Sequence, residues 1–249
     1  MIKVELIGSS GFLGKHISRY LSKETNIFTT NWIKEKDGSI LEKSNYEKKF
    51  SIEKPNIIIN TAWISNSYTN YQDEDINFEY ANNEIELIKH CNSERIRYIG
   101  LGTIHEQYLL ENKYFNSKKM VEKFLNEIKP KNSLLIRPSC IFSISELKPR
   151  LLKSFIGSGI EANSYPLNNE KNKLDWIAVE DVAKILTRLA LSAKEGTVDI
   201  RSNHVMNPRD FLKKIESNLM KFNAFEKPVD TLTPFDSTND YSVTSSFIG

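Results

Sequence analysis

The sequence has little of what several protein classes require. Only two of its 249 residues are cysteines, Cys91 and Cys140, which excludes a disulfide framework, and no Cys/His cluster has zinc-site spacing. No apolar run reaches the roughly 18 residues of a membrane-spanning helix, and the first residues lack a signal-peptide pattern. Neither charge sign dominates, because 34 Lys and Arg face 32 Asp and Glu without basic blocks. We therefore expect a cytoplasmic protein that binds no metal, nucleic acid or membrane.

What remains is an ordinary globular composition with a regular alternation of apolar patterns. Hydrophobic residues make up 39% and charged residues 27% of the chain. Short apolar runs with strand character alternate with stretches of helical periodicity. This order is typical of an α/β protein with a doubly wound parallel sheet, the Rossmann fold. The predicted strands cover residues 2–7, 26–31, 56–60, 97–101, 133–137 and 197–200, and the predicted helices 11–21, 45–52, 73–91, 117–128, 179–191 and 208–219; residues 32–43 are predicted as loop.

The alternation divides the chain into two predicted regions. Residues 1–142 are expected to form a dinucleotide-binding Rossmann domain. Residues 143–249 are expected to be mixed, because prolines and glycines interrupt the alternation after the fifth strand. Within that region, about 176–204 would complete the sheet, and about 143–175 together with 205–249 would form a small substrate lobe.

A glycine-rich turn follows the first predicted strand and enters the first predicted helix. Residues 8–14 read GSSGFLG, with glycine at positions 8, 11 and 14. Gly8 allows a tight turn, Gly11 lets the backbone approach a pyrophosphate, and Gly14 lets the helix pack closely on the sheet. The helix N-terminus then offers N–H groups and the positive end of its dipole to the phosphates. The turn predicts a bound dinucleotide; the alternative is a glycine-rich turn without a ligand.

The end of the second predicted strand bears on which dinucleotide is bound. NAD sites place a carboxylate there for the ribose 2′-hydroxyl, but this strand ends at Thr30 and Asn31, and the next carboxylate is Glu35. Lys34 and Lys36 lie just beyond the strand. A carboxylate would repel a 2′-phosphate, so its absence beside two lysines favours NADP(H) over NAD. The alternative is that both lysines lie on a solvated loop.

A tyrosine and a lysine stand four residues apart at the head of a predicted helix. Residues 114–118 read YFNSK, and helical spacing places Tyr114 and Lys118 on one face. An ammonium beside a phenol stabilises the phenolate and lowers the pKa of the tyrosine from about 10. Tyr114 can then exchange a proton with a carbonyl or an alcohol near neutral pH, and Lys118 can also bind the nicotinamide ribose.

The GxxGxxG turn and the YxxxK pair together resemble the extended short-chain dehydrogenase/reductase family of NAD-dependent epimerase/dehydratase type. Its members mostly act on nucleotide sugars. The resemblance implies that Thr103, after the fourth strand, hydrogen-bonds the substrate oxygen. It also implies an acid/base residue for epimerisation near the position of His105. The alternative is that His105 is a loop histidine facing solvent. Ile104 and His105 stand where dehydratases of the family carry Asp and Glu, which argues against dehydration.

The resemblance further assigns cofactor contacts along the chain. Ser39 replaces the aspartate that family members place beside the adenine, and the segment 174–183 resembles a stretch near the substrate. Arg150, Lys153 and Arg201 are candidate partners for a substrate diphosphate, or else surface charges. The predicted cofactor-binding residues are Gly8, Ser10, Gly11, Phe12, Leu13, Gly14, Asn31, Ser39, Ile40, Asn60, Thr61, Ala62, Tyr114, Lys118, Pro138, Ser139 and Ile141.

The resemblance implies an NADP(H)-dependent reductase of a nucleotide-linked 4-keto sugar, with or without epimerisation, in surface polysaccharide biosynthesis. Two alternatives stay open. One is a redox-neutral nucleotide-sugar epimerase with tightly bound NAD, and the other is a non-catalytic NAD(P)-sensing regulator on the same fold. Such regulators commonly lack the Tyr/Lys pair that this chain retains. A homodimer formed by the helices at 73–91 and 117–128 is also expected from the resemblance.

Overall fold

The computed structural model describes most of the chain and divides it into two compact units. It describes residues 1–40, 42–63, 74–104, 113–143, 173–207, 210–211, 214 and 241–242. The first unit comprises Met1–Arg137 and Ala183–Val198, and the second comprises Pro138–Val182 and Asp199–Gly249. The predicted boundary after residue 142 stays a prediction.

Helices and strands alternate through the first unit and into the second. The strands are β1 Ile2–Ile7, β2 Ile27–Asn31, β3 Ile57–Asn60, β4 Arg97–Leu101, β5 Ser133–Pro138, β6 Cys140–Phe142, β7 Leu174–Ala178, β8 Gly196–Arg201, β9 Val205–Met206 and β10 Tyr241–Ser242. The helices are α1 Phe12–Leu21, α2 Lys34–Asp37, α3 Lys43–Glu53, α4 Glu74–Ser93, α5 Lys113–Ile128 and α6 Val179–Ala190.

The strands of the first unit form one parallel sheet, which confirms the predicted Rossmann-type fold. Its order is β8-β5-β4-β3-β1-β2, and the pairings of β1 with β2, β1 with β3, β3 with β4 and β4 with β5 are all parallel. The chain therefore reverses its direction of winding between β1 and β3. In doubly wound sheets, ligands bind in the crevice outside the carboxyl ends of the strands at this reversal.

The core of the first unit comes from apolar strands and the inner faces of two helices. Residues 57–59 of β3 are almost fully buried, as expected for a strand covered on both faces. On α4, Ala81, Ile85 and Ile88 recur at spacings of three and four and face the core, where Val121 of α5 joins their cluster. These contacts pack α4 and α5 against the sheet.

The second unit has a small core of its own. Strand β6 pairs in parallel with β7, which pairs antiparallel with β9. Phe142 lies against Phe211, whose ring stacks on Trp176 with centroids 4.0 Å apart. Strand β10 pairs with residues 200 and 201 of β8. The strands β6, β9 and β10, of two or three residues each, were not predicted from the sequence, because such short strands give too few residues for a period to emerge.

Two other local predictions differ from the structure. The stretch 32–43, predicted as loop, contains the short helix α2, because the Asp37 carboxylate accepts the N–H of Ile33 at 2.8 Å and closes the turn. Helix α5 begins at Lys113, four residues before the predicted start, so that Tyr114 lies in its first turn. Within the described residues, no helix is long and apolar enough to cross a membrane.

Candidate active site

The glycine turn after β1 has the close backbone contacts that its sequence predicts. Gly8 has a φ of +84°, a conformation that side chains rarely adopt. A Cβ on Gly14 would lie 2.1 Å from the carbonyl oxygen of Gly8, so α1 can approach the turn only with glycine at this position. The N–H of Gly11 donates to the Gly8 carbonyl at 2.9 Å. The turn is therefore compact and leads directly into the N-terminus of α1.

This turn contacts the segment that follows β3, on the other side of the reversal in winding. A Cβ on Gly8 would lie 2.6 Å from Thr61 Oγ1 and 2.8 Å from the backbone nitrogen of Ala62. Thr61 Oγ1 donates to the carbonyl of Ile7 at 2.9 Å, and Asn60 Oδ1 accepts the N–H of Ala62 at 3.1 Å. The structure thus brings the predicted phosphate turn and the predicted Asn60–Thr61–Ala62 contacts together at the carboxyl edge of the sheet.

These features fit the diphosphate of a dinucleotide. Gly11 is the N-cap of α1, and the first turn of the helix carries no acidic residue that would repel phosphate. Gly11 and Ser10 are exposed at the turn, whereas Leu13 and Gly14 are buried beneath it. Leu13 and Gly14 therefore support the turn by packing, and Ser10 and Gly11 present its surface. The ring of Phe12 lies edge-on to His16.

At the end of β2, the structure places a buried cluster of charged side chains. Lys49 of α3 reaches Glu5 Oε1 at 2.8 Å and Asp37 Oδ2 at 2.7 Å, and it donates to the carbonyl of Asn31 at 3.0 Å. Although burial opposes the shift, the N–H of Ile33 and the Lys49 ammonium lower the pKa of Asp37. The Asp37 carboxylate is therefore engaged inside the protein.

The predicted adenine contacts lie beside a pocket of the first unit. Ile40 lines this pocket with Asn60 and Ala62. The carbonyl of Ser39 accepts hydrogen bonds from the Asn45 side chain and the N–H of Glu42. The rest of the lining comes from the segment after β3 and from α4, and consists of Trp63, Tyr80, Asn83, Glu84 and Leu87.

Tyr114 and Lys118 meet at one aromatic side chain, that of Trp63. The Lys118 ammonium lies 3.4 Å from the centroid of the Trp63 ring, and the Tyr114 ring lies edge-on to the same residue, with centroids 6.1 Å apart. Lys118 is only 5% exposed and donates to the carbonyl of Leu101, the last residue of β4, at 2.7 Å. The predicted pair thus converges at the carboxyl edge of β3 and β4.

Sequence reasoning missed three side chains around Lys118. The indole N–H of Trp63 donates to Asn77 Oδ1 at 3.2 Å. Glu84 Oε2 lies 3.8 Å from Lys118 Nζ. The hydroxyl of Tyr98 donates to Glu84 Oε1 at 2.5 Å. A signal for Glu84 exists in the sequence, because it stands three residues after Ala81 and so shares the apolar face of α4. An acidic residue on a buried helix face requires a partner.

The remaining predicted residues fall into three groups. Thr103 follows β4 and is 8% exposed, whereas His105, Arg150 and Lys153 lie outside the described residues. Pro138, Ser139 and Ile141 belong to the second unit. In that unit, Arg201 pairs with Asp199 at 3.1 Å. Within the described residues, no group of three or more His, Cys, Asp or Glu side chains is placed to hold a metal ion.

Residues 4–203 match the family model described as the NAD dependent epimerase/dehydratase family. No match was found among curated proteins.

Solved structures with the same fold include enzymes of several activities. A dTDP-4-dehydrorhamnose reductase from Bacillus anthracis in complex with NADP has a TM-score of 0.73 at 18% identity, over 88% of this chain and 82% of that one. The Bordetella bronchiseptica enzyme WbmH in complex with NAD+ has 0.69 at 14%, over 98% and 89%. A UDP-N-acetylglucosamine 4-epimerase from Bacillus cereus has 0.66 at 15%, over 88% and 86%.

Proposed function

Because the chain belongs to the NAD dependent epimerase/dehydratase family, we propose that it is an NADP(H)-dependent reductase of a nucleotide-linked 4-keto sugar. The observation that carries the proposal is the convergence of Tyr114 and Lys118 on Trp63, at the edge of the sheet where Gly8 contacts Thr61. A proton donor and a dinucleotide turn at one sheet edge are what carbonyl reduction requires. Solved reductases and an epimerase of nucleotide sugars share the fold.

In the proposed reaction the protein positions the carbonyl and supplies one proton. A reduced nicotinamide, when bound, would supply the hydride to the carbonyl carbon. Tyr114 donates its phenolic proton to the carbonyl oxygen, Thr103 hydrogen-bonds that oxygen, and Lys118 stabilises the phenolate that remains. His105 is the proposed acid/base residue should epimerisation accompany reduction.

The preference for NADP(H) over NAD is supported by the charges after β2. Asn31, Lys34 and Lys36 are exposed, whereas the carboxylate of Asp37 is engaged by Lys49 and by the N–H of Ile33. An exposed pair of ammonium groups favours a 2′-phosphate, and an engaged carboxylate does not compete for the ribose hydroxyls. The cofactor contacts in this proposal are those predicted from the sequence.

Two further parts of the proposal are supported by the family membership. We propose a role in surface polysaccharide biosynthesis, and a homodimer formed by α4 and α5. Size-exclusion chromatography with light scattering tests the second part, since a monomer at micromolar concentration would exclude it.

The function is tested by following NADPH absorbance after addition of GDP-, UDP-, CDP- and dTDP-4-keto sugars. We expect oxidation of NADPH with one of them. Tyr114→Phe should reduce turnover at least about 100-fold, the usual contribution of a general acid, while NADPH binding is retained. Tyr20→Phe is the matched control, because Tyr20 lies on α1 with the Lys23 ammonium over its ring. Full turnover by Tyr114→Phe would overturn the proposed chemistry.

The same assay separates the alternatives. A redox-neutral epimerase would carry NAD through purification and interconvert sugars without net consumption of NADPH. An NAD(P)-sensing regulator would bind the dinucleotide, turn over no sugar, and keep its binding response in Tyr114→Phe.

A further inference from the structure

A buried glutamate lies beside Lys118 and has no part in the reaction described above. Glu84 of α4 is 5% exposed, and its Oε1 accepts the hydroxyl of Tyr98 at 2.5 Å. Its Oε2 stands 3.8 Å from Lys118 Nζ and accepts no hydrogen bond within the described residues. At that distance the carboxylate acts on the ammonium through its charge rather than through a direct hydrogen bond.

Lys118 depends on this charge because its ammonium is almost removed from water. The carbonyl of Leu101 at 2.7 Å and the face of Trp63 at 3.4 Å offer it dipole and quadrupole attraction. Neither carries a formal negative charge. Glu84 adds one at 3.8 Å from the ammonium.

Glu84 is itself held in place by groups from two strands. Tyr98 of β4 is fully buried, and its hydroxyl accepts Asn60 Nδ2 at 3.3 Å while donating to Glu84. Burial, followed by the Glu84 charge, raises the pKa of Tyr98 well above its usual value, so Tyr98 remains a donor. A Cβ on Gly100 would lie 2.9 Å from the Tyr98 ring and 3.1 Å from Glu84 Oε1. Glycine at position 100 therefore makes room for this network.

We propose that Glu84 is a positioning residue for the reaction: it holds the ammonium of Lys118 in place, and its negative charge weakens the pull of that ammonium on the phenol of Tyr114. The inference rests on the proposed function. The effect of Glu84 would favour one direction of the reaction, because a phenol that keeps its proton to higher pH is better suited to donate it to a carbonyl than to withdraw one from an alcohol. Glu84 thus favours reduction over the first, oxidative step of an epimerase.

The groups that act on this site come from three elements among the described residues. Helix α4 contributes Glu84 and Tyr80, which lies against Trp63; strand β4 contributes Tyr98; and helix α5 contributes Tyr114 and Lys118. Tyr80 and Tyr98 are neutral at the working pH, since burial is the first cause of the raised pKa of each. Among these groups, Glu84 and Lys118 carry the charge.

The first test measures ionisation of Tyr114 without turnover. Ultraviolet difference spectra between a protein and its Tyr114→Phe counterpart report the phenolate of residue 114 as a function of pH. We expect Glu84→Gln, which keeps the side-chain shape and an acceptor for Tyr98, to shift this ionisation about one pH unit lower. Glu86→Gln is the matched control, because Glu86 lies on the same helix with a side chain 46% exposed. An unshifted ionisation in Glu84→Gln would overturn the proposal.

The second test asks whether Glu84 acts through Lys118. In a double-mutant cycle of Glu84→Gln and Lys118→Met, we expect Glu84→Gln to lower kcat severalfold with KM nearly unchanged, and to have no further effect once Lys118 is replaced. Equal losses in both backgrounds would show a merely structural role and refute the inference. If Glu84→Gln does not fold, Glu84→Asp draws the carboxylate back from Lys118 and should shift the Tyr114 ionisation in the same direction by a smaller amount, and no shift would refute the inference.

The two tests separate this inference from the proposed function. A protein that turns over no keto sugar but shows the ionisation shift would exclude the reductase and retain the role of Glu84 beside Lys118. A protein that turns over a keto sugar but shows no shift would retain the reductase and exclude the role of Glu84.

Discussion

Two lysines of the first unit, Lys49 and Lys118, have similar surroundings but lie at different distances from their carboxylates. Each lies over a tryptophan ring, Trp32 at 5.1 Å and Trp63 at 3.4 Å. Each also lies near a glutamate that is almost completely buried. The first cluster stands at the end of β2, and the second at the ends of β3 and β4.

The difference lies in the distance between ammonium and carboxylate. Lys49 meets three oxygens, those of Glu5, Asp37 and Asn31, at 2.7 to 3.0 Å. Lys118 has a carbonyl at 2.7 Å and its carboxylate only at 3.8 Å. Close ion pairs fix the backbone around them, whereas a carboxylate further away acts on an ammonium and its neighbours through its charge. We therefore assign stability to the first cluster and chemistry to the second.

Removal of Lys49 should have the largest effect on stability. Lys49→Met leaves two carboxylates without their cation in an almost water-free site, and breaking such a buried pair costs about 3–5 kcal/mol. We expect a loss of this size in the free energy of unfolding, measured with urea, and normal turnover in the remaining folded protein. Lys43→Met on the same helix is the control, since the Lys43 side chain is 62% exposed and its pair with Glu47 is worth about 0.3–0.5 kcal/mol.

Lys118→Met should show the opposite pattern, with turnover affected more than stability. Glu84 keeps the hydrogen bond from Tyr98, so we expect a smaller stability loss than in Lys49→Met together with a large but still measurable loss of turnover. The assignment of the two roles would be wrong if Lys49→Met lost turnover and Lys118→Met lost only stability.

Asp37→Asn should have the next largest effect and depend on pH. A hydrogen bond to a charged group is worth about 1.5–3 kcal/mol, and we expect a loss of that size near neutral pH. The pKa of Asp37 is lowered in the folded protein, so the carboxylate stabilises the fold fully above pH 3.8, the ordinary pKa of an aspartate, and its contribution is lost as pH falls through the folded pKa. Unfolding curves of both proteins should converge in acid; a gap that stays constant with pH would contradict the prediction.

Trp63→Leu removes the ring between Tyr114 and Lys118. Loss of a desolvated cation–π contact should cost about 1–2 kcal/mol of stability, and we expect turnover to fall with it because both side chains lose their common support. Trp63→Phe keeps an aromatic face but loses the N–H bonded to Asn77, and should have an intermediate effect. Thermal melts and NADPH oxidation measure the two effects separately.

The smallest effect is expected on NADPH binding, from two exposed lysines just after β2. Replacing both Lys34 and Lys36 by Gln removes two surface charges near the proposed 2′-phosphate, and we expect about fivefold weaker NADPH binding with NADH binding unchanged. Fluorescence titration measures both affinities, with Lys43→Gln/Lys48→Gln as the control. Equal weakening for NADPH and NADH would remove the support for an NADP(H) preference.

Much of the fold and part of the site are determined by local sequence patterns. The alternating periods of strand and helix predict the parallel sheet, since each element records its own burial in the spacing of its apolar residues. Glycine at positions 11 and 14 is required by contacts within one turn, and glycine at position 8 by its φ of +84°. Tyr114 and Lys118 are predicted as a pair because a single helix sets their separation.

The partners of Lys118 were decided by tertiary structure alone. Trp63, Glu84 and Tyr98 come from the segment after β3, from α4 and from β4, and they meet only when the sheet has formed and α4 packs against it. The same holds for Lys49, which joins β1, β2 and α2 from α3. A periodic pattern shows that a side chain is buried but not which charge will stand beside it, because distances between separate elements are fixed by packing rather than by spacing along the chain.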